Sequence, residues 1–343
     1  MVEAALKTLL PRGGELLPIV SALEKSREKA FRTVARRIRY RLLRAGVTVP
    51  ERSPPSPSPG PTWTLKEAWA SPVDGTGSRA FWLAAEGAYG EWLRLTLVLN
   101  DQVGILDAVG GPIAKKRITV ELQHLNRHEH PRWIRLPPDY TRGLISEALA
   151  LHTGEPPHGE FLRWQAFLGG PPTSRLLIAE HLDPERIRAD PTLLDHSEEI
   201  LTQPELAGWF FDPDGVQSAA LELEEARASR LILSDTQKAE REALILARTA
   251  DERFTERERT RWRRRLEETA YLFWRTERQR EARFALAAAL ALGDTERAPR
   301  HQPFCLAVVR RSFEVAAEVQ AGRLNADAAS RRPRRPATGG AAT

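Results

Sequence analysis

The sequence predicts an α+β fold that is predominantly α-helical, with a short antiparallel β-meander, covering helices and a helical C-terminal region. Three observations carry this expectation. Between residues 63 and 109 the hydrophobic period is two: Leu93, Leu95, Leu97 and Leu99 alternate with Arg94, Thr96 and Val98, the pattern of a strand with one buried face. After residue 113 the apolar residues return at helical spacing through almost all of the remaining chain. Ahead of both, residues 51–62 (ERSPPSPSPGPT) hold five prolines, which prevent regular structure and mark a semi-extended spacer.

Taken in chain order, the first module is residues 1–50, basic and helical. Helical spacing covers residues 15–23 and, more clearly, 26–45, where Phe31, Val34, Ala35, Ile38 and Leu42 form an apolar face. Gly46 and the β-branched Val47, Thr48 and Val49 end it. Lys25, Lys29, Arg32, Arg36 and Arg39 run in a stripe roughly a third of a turn away, and the mixture of small and basic residues resembles one helix of a HEAT-type repeat. The spacer 51–62 follows.

The meander with its packed helix is expected over residues 63–137. Its strands read as 63–70, 79–86, 93–99 and 103–109, joined through Asp74-Gly75-Thr76-Gly77, Gly87-Ala88-Tyr89-Gly90 and Asn100-Asp101. Connections this short favour antiparallel pairing. Gly110-Gly111-Pro112 is expected to break the sheet, and Ile118, Leu122 and Leu125 predict a helix over 113–125 covering one sheet face.

Residues 138–320 read as a helical region, which the pattern allows to be continuous with the meander. Helices are expected at 139–152 with Asp139 at or near the N-cap, at 197–209, at 215–229, and at 234–253 with Ser234 or Asp235 as cap. Between 154 and 196 proline and glycine allow only short helices. Trp262, Leu266, Ala270 and Phe273 make one stripe, and Ala282, Ala285, Leu286, Ala289 and Leu290 a second, separated by a polar break at 276–280. This stretch, 262–292, resembles a tetratricopeptide-like helix hairpin, in which small residues let two helices approach closely. It has no second copy in register, so the resemblance implies an antiparallel helix pair and no repeat array. A last helix is expected at 303–320, and the basic tail 321–343 is expected to be disordered.

Composition bounds the function. The 343 residues are 41% hydrophobic with nine tryptophans, enough for a substantial core. Cys305 is the sole cysteine, so an intrachain disulfide and a cysteine-built zinc site are excluded, which fits a reducing compartment. The N-terminus lacks the basic start and apolar stretch of a secretory signal, and the longest apolar run, 284–292, is far short of the roughly 20 residues of a membrane helix. A cytoplasmic protein without a membrane span is the expectation. Charge is segregated: residues 1–62 hold 12 Lys/Arg against 5 Asp/Glu, and residues 322–343 hold 5 against 1, around an acidic middle. Basic ends of this kind suit contact with a nucleic acid or another polyanion. Arginine dominates lysine throughout, in the manner of GC-rich coding, so the segregation is more informative than the residue type.

Candidate chemistry is sparse. The stripe Lys25, Lys29, Arg32, Arg36 and Arg39 can follow a phosphate backbone, and homeodomain, zinc-finger and RNP signatures are missing. His124, His128 and His130 form the one histidine cluster; the first two share a helix face and suit a metal, although Arg127 and Pro131 oppose such a site and the HExxH order is not met. Six arginines between Arg257 and Arg265 lie within helical pairing distance of Glu256, Glu258, Glu267 and Glu268, which predicts intrahelical ion pairs. Asp74-Gly75-Thr76-Gly77 is turn chemistry without a second carboxylate partner, and Cys305 reads as a buried apolar residue. Phosphate-loop, dinucleotide-loop and nucleophile-elbow motifs are absent from the sequence. With no catalytic residue and no cofactor indicated, the leading expectation is a non-catalytic interaction or scaffold protein with helical surfaces for a protein partner and weak polyanion contact at its basic ends. The alternatives are a metal-dependent hydrolase or nuclease-like enzyme using the histidines, and a small-ligand sensor in which Trp69, Trp82 and Trp92 of the sheet line a pocket.

Overall fold

The computed structural model of the chain describes residues 63–128, 132–152, 157, 160–171, 176–228 and 235–333. The chain divides into two units, Met1–Gly60 and Pro61–Thr343, and every described residue belongs to the second. The helix expected in residues 1–50 and the whole of the proline-rich spacer 51–62 lie outside the described residues.

The alternating leucines form β3 (Trp92–Asn100), one strand in from the edge of a five-stranded antiparallel sheet. The other strands are β1 (Thr64–Ala70), β2 (Ser78–Glu86), β4 (Gly104–Ile113) and β5 (Ile134–Arg135), in the order β4-β3-β2-β1-β5. Register brings Leu83 opposite Leu95 and Phe81 opposite Leu97, so consecutive strands contribute to one continuous apolar face. Two details differ from expectation. Gly110, Gly111 and Pro112 do not break the sheet: they pair with Leu95, Arg94 and Leu93 as the end of β4. Because β4 is an edge strand, half of its backbone groups need no ladder partner, and a proline is tolerated there. The helix predicted from 113 accordingly starts later, as α1 (Lys115–His128). Two-residue β5 is too short to carry a period.

The sheet is covered on both faces. On one, α1 lays Ile118 and Leu125 over Trp82 and Ala84, with Trp69, Trp92, Leu122 and Trp133 around them. On the other, the leucine face merges with the main core of the helical region. That region comprises α2 (Pro138–Ala150), the single turns α3 (Gln165–Leu168), α4 (Pro184–Arg188) and α5 (Pro191–Asp195), then α6 (Gln217–Ala228), α7 (Asp235–Arg253), α8 (Glu256–Arg275), α9 (Gln279–Gly293), α10 (Pro303–Gln320) and α11 (Ala326–Ala329). The single turns α4 and α5 are stabilised at their starts by Asp183 and Asp190, whose carboxylates accept the amides of Glu185 and Thr192. Asp139 has no such role: Pro137 occupies the N-cap of α2, Pro138 begins the helix, and Asp139 sits in the first turn.

The helix expected at 197–209 is instead two 3-10 segments, Ser197–Thr202 and Pro204–Leu206. Pro204 is the cause, since its ring drives Gln203 to an extended conformation (φ −72°, ψ 140°) and interrupts the turn sequence. The antiparallel pair α8/α9 appears as predicted. It closes through Glu277 at φ 64°, where the amide of Arg278 reaches back to the carbonyl of Phe273 at 2.9 Å. Trp262 of α8 anchors the core: Trp209, Phe211, Phe254 and Phe304 all surround it with ring centroids 5.3–6.1 Å away. Beyond α10 the chain folds back as far as Pro333. Asn325 caps α11, Ala329 is buried, and the Arg331 amide donates to Asp212 at 2.9 Å. No helix among the described residues is long and apolar enough to cross a membrane.

Candidate functional site

The row Arg257, Arg261, Arg264 and Glu268 recurs every three or four residues along α8 and therefore occupies one helix face. That face forms one wall of a cleft of about 680 Å³, bounded also by the ends of β2 and β3 and by the last two turns of α2. Its apolar lining is Val73, Phe81, Leu99, Leu144, Ala148 and Leu151. The volume is that of a small-molecule site, commonly about 300–1,000 Å³.

The closed end of the cleft is an ionic cluster centred on the Glu268 carboxylate. Arg79 of β2 pairs with it at 2.8 Å and both side chains are more than nine-tenths buried. Arg264 lies 3.3 Å from the same carboxylate and 3.4 Å from Glu147 of α2. Tyr140 donates its hydroxyl to Glu268. Burial, reinforced by the Glu268 charge, pushes the Tyr140 phenol well above the ordinary tyrosine range, so it remains a donor. Burial works against the charge of Arg264, yet Glu268 and its other anionic neighbours outweigh it and hold the guanidinium above its usual value. Arg265 points the other way and grips Asp101 at 2.5 and 2.9 Å, tying α8 to the β3–β4 turn.

Towards solvent the pairing thins. Arg261 bonds Glu258 at 2.5 Å, while Arg257 is exposed and has no carboxylate partner among the described residues. Five arginines and four carboxylates line the cleft, and Glu258, which holds Arg261, evens the count, so the guanidinium offered at the mouth is that of Arg257. The arrangement offers an apolar floor for a hydrocarbon or ring and guanidinium donors for an acidic group. Of its carboxylates, Asp101, Glu147 and Glu268 are held in ion pairs, and Glu256 is exposed at the start of α8.

Of the residues singled out in the sequence, the arginine run of α8 supplies the cleft wall, and His124, Trp69, Trp82, Trp92, Asp74 and Cys305 lie outside the cleft. Lys25, Lys29, Arg32, Arg36 and Arg39 are outside the described residues, as are His130 and the side chain of His128. His124 is described, on the exposed side of α1. Among the described residues no three side chains of metal-ligating type gather. Trp69, Trp82 and Trp92 belong to the seam under α1, on the sheet face away from the cleft; the Trp82 indole donates to Glu121 at 3.0 Å. Asp74 is absorbed by its own turn, accepting from the amides of Thr76 and Ser78 at 2.8 and 2.9 Å. Cys305 is fully buried, and desolvation pushes its thiol far above the ordinary range. The arginine run forms three intrahelical pairs, Arg261–Glu258, Arg263–Glu267 and Arg264–Glu268, but Arg265 and Arg259 reach beyond the helix, to Asp101 and to the carbonyl of Leu292. The three- and four-residue recurrence of charge on α8 is the sequence signal that marks the cleft wall.

No protein-family model matches the chain, and no curated protein or solved structure matches it.

Proposed function

We propose that the unit containing the sheet and helices is a non-catalytic binding module for a small amphiphile that carries an acidic group. The supporting observation is the cleft of about 680 Å³ with an apolar floor and an arginine row on one wall. The apolar part of the ligand lies on Phe81, Leu99, Leu144 and Leu151, where burial of apolar surface contributes most of the affinity. The acidic group meets Arg257 and Arg261 at the mouth, where a guanidinium can bind a carboxylate in bidentate fashion.

Titration of the full chain with sodium dodecanoate, followed by calorimetry, tests the reading. Saturable one-to-one binding is expected, weaker for dodecanol. Leu151 is 42% exposed at the rim, so Leu151→Trp obstructs the cleft without disturbing the core. Arg257→Glu reverses the charge at the mouth and should weaken dodecanoate by about tenfold, or about 1.4 kcal/mol. Binding that ignores both substitutions contradicts the proposal.

A second contact rests on charge segregation. Residues 1–62, with Lys25, Lys29, Arg32, Arg36 and Arg39, provide weak polyanion contact, which is salt-dependent and is lost when that segment is deleted. Such contact suits a protein of a reducing compartment with one buried thiol.

A further inference from the structure

A second cleft, of about 420 Å³, opens beside the first, between the segment Phe210–Gly215, the end of α7, the start of α8 and the chain at Arg331–Pro333. Five arginines and three carboxylates line it. The carboxylates are already engaged. Asp212 accepts from the Asp214 amide at 3.2 Å, from the Ser330 hydroxyl at 3.1 Å and from the Arg331 amide at 2.9 Å. Asp214 pairs with Arg332 at 3.1 Å, and Glu258 with Arg261.

Arg253 stands apart. It has no carboxylate partner among the described residues, and its Nε is buried without a hydrogen-bond acceptor. Yet the group is firmly placed. Its Cζ lies 5.2 Å from the centre of the Phe211 ring, and it approaches Gly215 so closely that a Cβ there would fall 3.0–3.2 Å from three guanidinium atoms. A buried donor with no acceptor costs free energy, and a charged one costs more. The Nε is closed to solvent and to a ligand alike, but neither terminal nitrogen is held by a carboxylate among the described residues, and a guanidinium positioned by an aromatic face and a backbone is preorganised for an oxyanion at those two nitrogens.

We propose that this second cleft is an oxyanion site of the phosphate-monoester class, with Arg253 as the principal ligand-binding residue and Arg332 beside it. With Asp101, which grips Arg265, counted beside the three lining carboxylates, five arginines face four carboxylates, and the net positive charge favours an anion. The two clefts share Arg261 and Arg265 in their linings, but the residues that carry this proposal, Arg253, Phe211 and Gly215, do not line the amphiphile cleft.

The test is calorimetric titration of the full chain at low ionic strength with inorganic phosphate and phenyl phosphate, and with acetate and benzoate as the carboxylate counterparts. Saturable binding of phosphate and tighter binding of phenyl phosphate are expected. Arg253→Ala should weaken both by at least tenfold; Arg253→Lys, which keeps the charge and loses the fork, should recover only part. Arg186→Ala, which removes an exposed cation that lines neither cleft, should leave phosphate affinity unchanged. Equal losses in Arg253→Ala and Arg186→Ala would show attraction to net charge alone and overturn the site. In the Leu151→Trp protein, whose first cleft is obstructed, benzoate binding more tightly than phenyl phosphate would overturn the phosphate assignment. Unchanged phosphate affinity in Arg253→Lys would overturn the role of the fork, and this variant retains the stacked cation if the alanine variant fails to fold.

Discussion

Tyr140 donates its hydroxyl to the Glu268 carboxylate, and through that carboxylate α2, α8 and β2 meet at one buried point. Arg79, the β2 contribution, also donates from its Nε to the carbonyl of Ser71 at 2.7 Å, so all its charge compensation comes from Glu268. Glu268→Ala leaves that guanidinium buried and unpaired, which should cost about 3–5 kcal/mol. Tyr140→Phe removes one hydrogen bond to a charged acceptor, worth about 1.5–3 kcal/mol. Urea unfolding of the two variants measures the difference; equal losses would contradict the central position of the carboxylate.

The same contact sets a pH dependence. Desolvation first, and then the Glu268 charge, raise the folded-state pKa of Tyr140; desolvation also raises that of Tyr271. A folded state that holds a proton more tightly than the unfolded chain gains stability that is fully present below the unfolded pKa, about 10 for tyrosine. The gain is lost as the pH climbs from there through the folded values. Stability should therefore fall above pH 10 in the native sequence, and fall less steeply in Tyr140→Phe. Urea midpoints collected across alkaline pH check the slope, and absorbance at 295 nm checks that these phenols ionise late.

A close backbone approach makes a third prediction. The β1–β2 turn meets the segment before Phe210 through two glycines: a Cβ on Gly75 would sit 1.6 Å from the carbonyl oxygen of Gly208. Beside it, the indole of the next residue, Trp209, donates to the carbonyl of Val73 at 3.1 Å. Gly75→Ala cannot be accommodated by a side-chain movement, because the obstacle is backbone. A loss of at least about 1–3 kcal/mol, the range for overpacking, is expected in thermal or urea unfolding.

The elements that were legible in the sequence are those with a long period. Leu93 to Leu99 define β3 because alternation over four leucines leaves one burial pattern, and the same holds for the two alanine- and leucine-rich stripes that became α8 and α9. Where a single residue decides the outcome, pattern reading fails. Pro112 is acceptable only because β4 lies at the edge, and edge position is a property of the assembled sheet. Pro204 splits 197–209 into two 3-10 segments although its apolar residues recur at helical spacing. The cleft was illegible for another reason. Its lining comes from residues 73–81, 99–102, 144–151 and 256–268, and only the last group carries a local signal. Even there, Arg264 and Arg265 are neighbours in sequence and go to Glu268 and Asp101, on different sides of the helix.

Cys305 provides a chemical check on the core. It is fully buried in α10, its sulfur lies 3.6 Å from the Gln302 side-chain oxygen, and desolvation holds it as the thiol. The native protein should be inert to a thiol-specific disulfide reagent at neutral pH, and unfolding in urea should release one equivalent. Stoichiometric reaction of the folded protein would contradict the packing of α10 against the core.

The amphiphile cleft is tested most directly by hydrogen–deuterium exchange with and without dodecanoate. Binding between α2 and α8 should slow amide exchange at 144–151 and 256–268 and leave α1 and the tryptophan seam unchanged. Protection confined to α1, or no protection at saturating dodecanoate, would contradict the assignment of the cleft as the binding site.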